Sequence, residues 1–140
     1  MLKNAIELLN KNNATCIVLI DDRTIIRYDR GVKPLLDFID EKCNIKGGIV
    51  ADKVVGKAAA MLYIVLEIKE LYACVISEHA LEILKKYGIE VTYAQKVSMI
   101  RNRSNTGFCP MEQSVLKIDT PTEAVTAIRC TLKKLQSLEK

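Results

Sequence analysis

The stretch IVADKVVGKAAAMLYIVLEIKELYACVI, residues 49–76, decides the fold. It opens with a short buried strand at residues 49–51, and Asp52 stands where the N-cap of a long helix through about residue 71 is expected. A second apolar strand follows at residues 72–76. Because a helix that joins two neighbouring strands leaves them parallel, the stretch predicts a parallel β-α-β unit in the middle of the chain.

The residues before this unit predict a helix, a hairpin and a second helix. Apolar residues at helical spacing begin at residue 2, and the first helix stops at the pair of asparagines at 12–13. The stretches 14–20 and 24–28 are rich in β-branched residues and flank a turn at 21–23, as in a β-hairpin. Residues 32–42 place an apolar face on a helix whose first turn tolerates Pro34.

The residues after the unit continue the alternation of helices and strands. Ser77 is expected to cap a helix that ends at Gly88, and a strand follows at 89–93. Residues 97–118 mix a helical turn, a polar loop and a second turn from Pro110. The sequence TPTE at 120–123 is a capping box that starts the last helix. This order predicts one domain over residues 1–140, a three-layer α/β/α sandwich around a mixed sheet.

Composition excludes several classes of protein. The chain has 140 residues, 49% of them hydrophobic, and no apolar run near the roughly 20 residues of a membrane span. Because Glu7 interrupts the apolar pattern at the N-terminus, no secretory signal is predicted and a cytoplasmic protein is expected. The net charge of +4 is spread along a chain with 5% aromatics and no Trp, which argues against nucleic-acid binding. Five widely spaced cysteines predict free thiols.

Two motifs carry a resemblance to a known family. ADKVVGKAAA at residues 51–60, with NR at 102–103 and CPME at 109–112, resembles the domain of unknown function 1893 family. The resemblance covers nearly the whole chain and implies a cytidine-deaminase-like fold. It implies no activity.

The residues that a zinc deaminase needs are missing. Such an enzyme has His-x-Glu or Cys-x-Glu on one helix and Pro-Cys-x-x-Cys on the next. The only histidine, His79, is followed two residues later by Leu81, and no two cysteines are three positions apart. Gly56-Lys57 is also a poor match to a P-loop, whose spacing would put a glycine at Ala51. No metal and no cofactor are predicted.

The predicted strand-to-helix junction is the first candidate binding site. A helix N-terminus attracts anions, and Lys53 and Lys57 would add two ammonium groups within one turn of Asp52. Gly56 belongs to the same candidate ligand-binding site. The alternative is that Asp52 is only an N-cap, that Gly56 lets the helix pack closely on its sheet and that the lysines are solvated.

The polar stretch 101–112 is the second candidate, either a ligand-binding loop or a solvated surface loop. It contains Arg101, Asn102, Arg103, Cys109 and Glu112. Arginine forks suit phosphates and carboxylates, and a thiol ahead of a helix can be reactive. Because loops after parallel strands meet at one edge of the sheet, both candidates are expected to face one crevice that holds an anion.

Three functions fit these features. The first is a protein that binds a small anionic or phosphate-bearing ligand, such as a nucleotide, on a zinc-free deaminase-like scaffold. The second is a metal-independent enzyme acting on such a ligand, with Asp52, Cys109 or Glu112 as the reactive group. The third is an oligomeric interaction module with no ligand, whose partner is another copy of the chain.

Overall fold

The protein is a mixed α/β structure. The computed structural model describes residues 2–29, 32–41, 44–100 and 110–138. Along these residues the elements are α1 (Leu2–Asn12), β1 (Cys16–Ile20), β2 (Arg23–Arg27), α2 (Lys33–Asp40), β3 (Ile49–Val55), α3 (Lys57–Val65), β4 (Glu70–Ser77), α4 (Glu78–Lys86), β5 (Glu90–Val97), α5 (Pro110–Val115) and α6 (Pro121–Leu138). The strands form an open sheet in the order β2-β1-β3-β4-β5.

The strand directions bring the ends of several strands to one side of the sheet. β1 pairs antiparallel with both β2 and β3, which confirms the predicted hairpin. β3, β4 and β5 run parallel, as the helical crossovers predict. The strand ends at Arg27, Val55, Ser77 and Val97 and the start of β1 at Cys16 therefore share one side of the sheet. We call this side the carboxyl edge.

Alternating side chains divide the protein into layers. In β1, Val18 and Ile20 face the main core, whereas Ile17 packs with Ala5 and Leu9 of α1. The main core also holds the apolar faces of α2, α3 and α4, and α5 and α6 pack against α3. Helices thus cover both faces of the sheet, which confirms the predicted mixed α/β sandwich.

The predicted helix over residues 52–71 is wrong at both ends. β3 continues through Asp52 to Val55, because the parallel ladder with β4 extends that far, and Gly56 takes the N-cap position of α3. The helix ends at Val65, and Glu67 then adopts a left-handed conformation with φ of 58°. Local propensity favoured helix here, but pairing with β4 decides the boundary.

The boundaries of α4 follow the sequence closely. The Ser77 hydroxyl accepts a hydrogen bond from the backbone N–H of Ala80, and Gly88 has φ of 79° just beyond the helix, so both predicted end signals are confirmed. β5 is longer than predicted and ends at Val97. Within the described residues, no helix combines the length and apolarity that a membrane span requires.

Candidate functional site

Three polar side chains form a hydrogen-bonded chain beneath the carboxyl edge. The Tyr63 hydroxyl on α3 donates to Oδ2 of Asp52 on β3 at 2.5 Å. The same hydroxyl lies 3.4 Å from Sγ of Cys16, which pairs with Asp52 across β1 and β3. Tyr63 and Cys16 are buried, and Asp52 is half-buried. We call these residues the Asp52 cluster.

Burial controls the protonation of this cluster. It raises the pKa of Asp52 to about 7, although hydrogen bonds from Tyr63 and from the backbone N–H groups of Val54 and Lys53 favour the ionised carboxylate. Burial also raises the pKa of Tyr63 and that of Cys16 far above their usual values, and the charge of Asp52 adds to both shifts. At neutral pH, Tyr63 and Cys16 therefore stay protonated, whereas Asp52 is present in both its protonated and its ionised form.

The two oxygens of Asp52 have different hydrogen-bond partners. Its Oδ1 atom accepts an exposed hydrogen bond from the backbone N–H of Val54 at 3.3 Å, and the Val54 side chain is 48% exposed. Tyr63 holds the other oxygen and so orients the carboxyl group. A carboxyl group with a pKa near 7 can accept or donate a proton at neutral pH.

The N-terminus of α3 already holds an anion, the side chain of Glu112 on α5. Oε1 of Glu112 accepts a 2.7 Å hydrogen bond from the backbone N–H of Lys57, and Oε2 accepts one of 2.9 Å from that of Ala58. Only 6% of Glu112 is exposed. The anion expected at this helix is therefore a carboxylate of the protein, and Asp52 is not the cap.

Gly56 is required by this contact. Its φ of −97° is open to any residue, so the backbone conformation does not select glycine. A Cβ atom at Gly56 would, however, collide with the carboxylate of Glu112. The glycine therefore makes room for the side chain that caps α3, rather than for closer packing of the helix on the sheet.

The predicted pair of cationic side chains is not formed. Lys53 lies in β3 and donates through Nζ to Oδ1 of Asn13 at 2.8 Å, on the α1 side of the sheet. Lys57 begins α3 and donates through Nζ to the carbonyl oxygen of Leu116 at 3.1 Å. Because β3 continues past Asp52, the two lysines point to opposite faces instead of sharing one helical turn.

The arginine-bearing stretch lies outside the described residues. Arg101, Asn102, Arg103 and Cys109 fall in this gap, and their place in the site stays a prediction. Its two flanks are described: β5 ends at the carboxyl edge, and Glu112 holds α5 on the N-terminus of α3. The chain therefore leaves this edge before the stretch and returns to it afterwards.

The histidine and the other described cysteines lie outside the Asp52 cluster. His79 is exposed on the first turn of α4. Cys74 is half-buried and Cys130 is exposed, both as free thiols. In the part of the chain that the structure describes, no three His, Cys, Asp or Glu side chains are grouped closely enough to bind a metal ion.

Tyr63 and Cys16 are not among the site residues that the sequence predicts. Tyr63 carries the only polar side-chain group of the apolar run 58–66, and Cys16 starts a buried strand. Buried polar groups need hydrogen-bond partners, so a lone hydroxyl in an apolar helix next to a strand with one aspartate was the available signal.

The fold is an α/β sandwich with an open mixed sheet, and the Asp52 cluster lies beneath its carboxyl edge. The family model described as TM1506, domain of unknown function DUF1893, matches residues 4–132. The chain belongs to this family, which confirms the resemblance read from its motifs.

A solved structure agrees with this assignment. The crystal structure of a DUF1893 family protein from Thermotoga maritima matches with a TM-score of 0.83 and 31% sequence identity, over 95% of this chain and 88% of that chain. No curated protein matches the chain.

Proposed function

We propose that the protein binds a small phosphate-bearing molecule, such as a nucleotide, at the carboxyl edge. The contact of Glu112 with the N-terminus of α3 carries the proposal, because it fixes the chain just beyond the arginine-bearing stretch at this edge. In the sequence, Arg101 follows the last residue of β5 by four positions, and Arg103 precedes Glu112 by nine. We further propose that residues 1–140 act as one domain in the cytoplasm.

The helix directions favour an anion on this side of the sheet. α2, α3 and α4 each follow a strand that ends at the carboxyl edge, so their N-termini, with their partial positive charge, lie on that side. Since Glu112 fills the N-terminus of α3, the ligand phosphate is assigned to Arg101 and Arg103, with Asn102 beside them. The Oδ1 atom of Asp52 is left for a polar group of the ligand.

Thermal unfolding with inorganic phosphate, nucleotides and sugar phosphates tests the proposal. A ligand at a hundredfold excess over its Kd stabilises the native state by about 2.7 kcal/mol. Arg103→Ala should weaken binding by about 1–3 kcal/mol, the size of a charge-assisted hydrogen bond. Lys85→Ala is the matched control, because Lys85 is exposed in the last turn of α4, away from the carboxyl edge. No stabilisation by any compound would contradict the proposal.

The Asp52 cluster favours a second candidate, a metal-independent enzyme acting on such a ligand. Asp52 would transfer the proton, because its pKa of about 7 matches neutral pH, whereas both oxygens of Glu112 are held by backbone N–H groups. Asp52→Asn should then abolish turnover and leave binding nearly unchanged. We expect no stoichiometric zinc and no cytidine or adenosine deaminase activity, and metal analysis of purified protein checks the first point.

A further inference from the structure

The edge strand β5 is exposed along most of its length. β5 pairs with β4 on one side, and no described strand lies on the other. Five consecutive residues, 92–96, are exposed, and Tyr93 is 39% exposed. A strand covered on one face would alternate between buried and exposed residues. Along this stretch, therefore, neither helix layer of the described residues shields β5. No described strand pairs with its outer backbone groups, which can accept another strand.

The sequence of β5 is complementary to itself in one antiparallel register. A two-fold axis perpendicular to a sheet keeps paired side chains on the same face, so such a register must centre on a residue. Glu90 and Lys96 stand at equal distances on either side of Tyr93. Centring on Tyr93 therefore places Glu90 of each copy opposite Lys96 of the other. Centring on a neighbouring residue separates these charges.

The charges of β2, the outer strand on the other side of the sheet, are arranged in the opposite way. β2 has five residues, RTIIR, with arginines at both ends. Pairing two copies of β2 around the central Ile25 would place Arg23 opposite Arg27, and like charges in opposed positions destabilise strand pairing. The charges thus discourage self-pairing at β2 and support it at β5.

We propose that two copies of this chain pair through β5, antiparallel and centred on Tyr93, to form a dimer with a continuous sheet. The five strands of each copy would make ten in the dimer. Opposed charged and aromatic side chains add to the backbone hydrogen bonds of such a pair. The two carboxyl edges face opposite directions, so the candidate site of each copy stays complete within its own chain. The dimer does not depend on the proposed ligand.

Sedimentation velocity of the full chain over a range of concentrations tests the dimer by charge reversal. Lys96→Glu and Glu90→Lys each turn two attractive pairs into repulsive ones, and each should raise the dimer dissociation constant roughly ten- to thirtyfold. The double variant Glu90→Lys/Lys96→Glu restores opposite charges and should dimerise like the native chain. Lys85→Glu makes the same change in charge on α4 and should leave the dimer intact.

Cross-linking tests the register independently of affinity. Directly opposed residues in an antiparallel pair have Cα atoms about 4.5–5.5 Å apart, within the span of a disulfide. Tyr93→Cys should therefore give a covalent dimer under mild oxidation. The native chain controls for its own thiols. Thr92→Cys controls for the register, because each copy then places the new thiol opposite Ala94 of the other.

Four results would overturn the proposal. The first is a native chain that stays monomeric at every concentration, and the second is a dimer that neither single charge reversal weakens. The third is a double variant no better than the single variants, when circular dichroism shows that all of them are folded. The fourth is cross-linking of Thr92→Cys as efficient as that of Tyr93→Cys.

Discussion

The Tyr63 hydroxyl lies 2.5 Å from Oδ2 of Asp52 and ties α3 to the middle of β3. The contact joins the two elements on either side of Gly56, so it holds the β-α turn at the carboxyl edge in place. Because Tyr63 is buried, its hydroxyl depends on partners within the protein for its hydrogen bonds, and the loss of a partner is costly. The cluster therefore contributes both to stability and to the properties of the candidate site.

Tyr63→Phe should lower the free energy of unfolding by about 1–2 kcal/mol, because it removes one hydrogen bond and keeps the ring. It should also raise the pKa of Asp52, since the hydroxyl favours the ionised carboxylate. Urea unfolding and a carbon-13 NMR titration of the carboxyl groups measure the two effects. Tyr87→Phe, at an exposed residue, should change neither. A lower pKa of Asp52 in the Tyr63 variant would contradict the assigned hydrogen bond.

The stability of the protein should depend on pH through Asp52. The pKa of Asp52 is about 7 in the native state, against 3.8 for the group without the fold. Between these values the native state holds an extra proton, so the stabilisation is present at low pH and is lost as the pH rises through 7.

Asp52→Asn removes this dependence. Between pH 5 and pH 8, the free energy of unfolding of the native chain should fall by about 1–2 kcal/mol relative to that of the variant. This value allows for the partial exposure of Asp52. Urea unfolding at both pH values measures it. Asp22→Asn, at an exposed turn residue, should show no such trend. A difference that moved the opposite way would mean that the native pKa of Asp52 is lowered.

Glu112→Ala should destabilise the protein by about 2–3 kcal/mol. It leaves two backbone N–H groups of α3 without their acceptor, and it removes a negative charge from a helix N-terminus. Chemical denaturation measures the change. Glu82→Ala on the exposed face of α4 should stay within about 0.5 kcal/mol of the native chain. Equal stability of the two variants would show that the cap does not hold α5.

Gly56→Ala should destabilise by about 1–3 kcal/mol, because the added methyl group displaces the Glu112 carboxylate. The same substitution in a Glu112→Ala chain should cost little, since the backbone of Gly56 has an ordinary conformation. The two single variants and the double variant therefore form a cycle with a coupling of about 1–3 kcal/mol. If the effects of the two substitutions were additive, the requirement for glycine at position 56 would not arise from Glu112.

The native thiols should react in the order of their exposure. Cys130 should be alkylated quickly, Cys74 slowly and Cys16 only on unfolding, because Cys16 is buried and its pKa is raised. The sequence predicts that Cys109 reacts fastest of all. Mass spectrometry after timed alkylation gives the order. Rapid loss of the Cys16 thiol from folded protein would contradict its place in the Asp52 cluster.

The amino-acid sequence was sufficient to predict the element types, the hairpin and the parallel crossovers. Their signals are local: the β-branched run at 14–20, the cap at Ser77 and the glycine at 88 act on neighbouring residues. The sequence also predicted that the carboxyl edge collects polar residues, because strand direction follows from the order of helices and strands. Its motifs indicated the family, and the match to the family model confirms it.

Only the tertiary structure decided what the polar residues do. Asp52 belongs to a strand because β4 pairs beside it, and its pKa rises because α3 and β1 bury it with Tyr63 and Cys16. Glu112 caps a helix that begins 55 residues earlier in the chain. Contacts of this kind join residues far apart in the chain. Local propensity and spacing cannot specify them, because burial and pairing exist only once the layers have packed together.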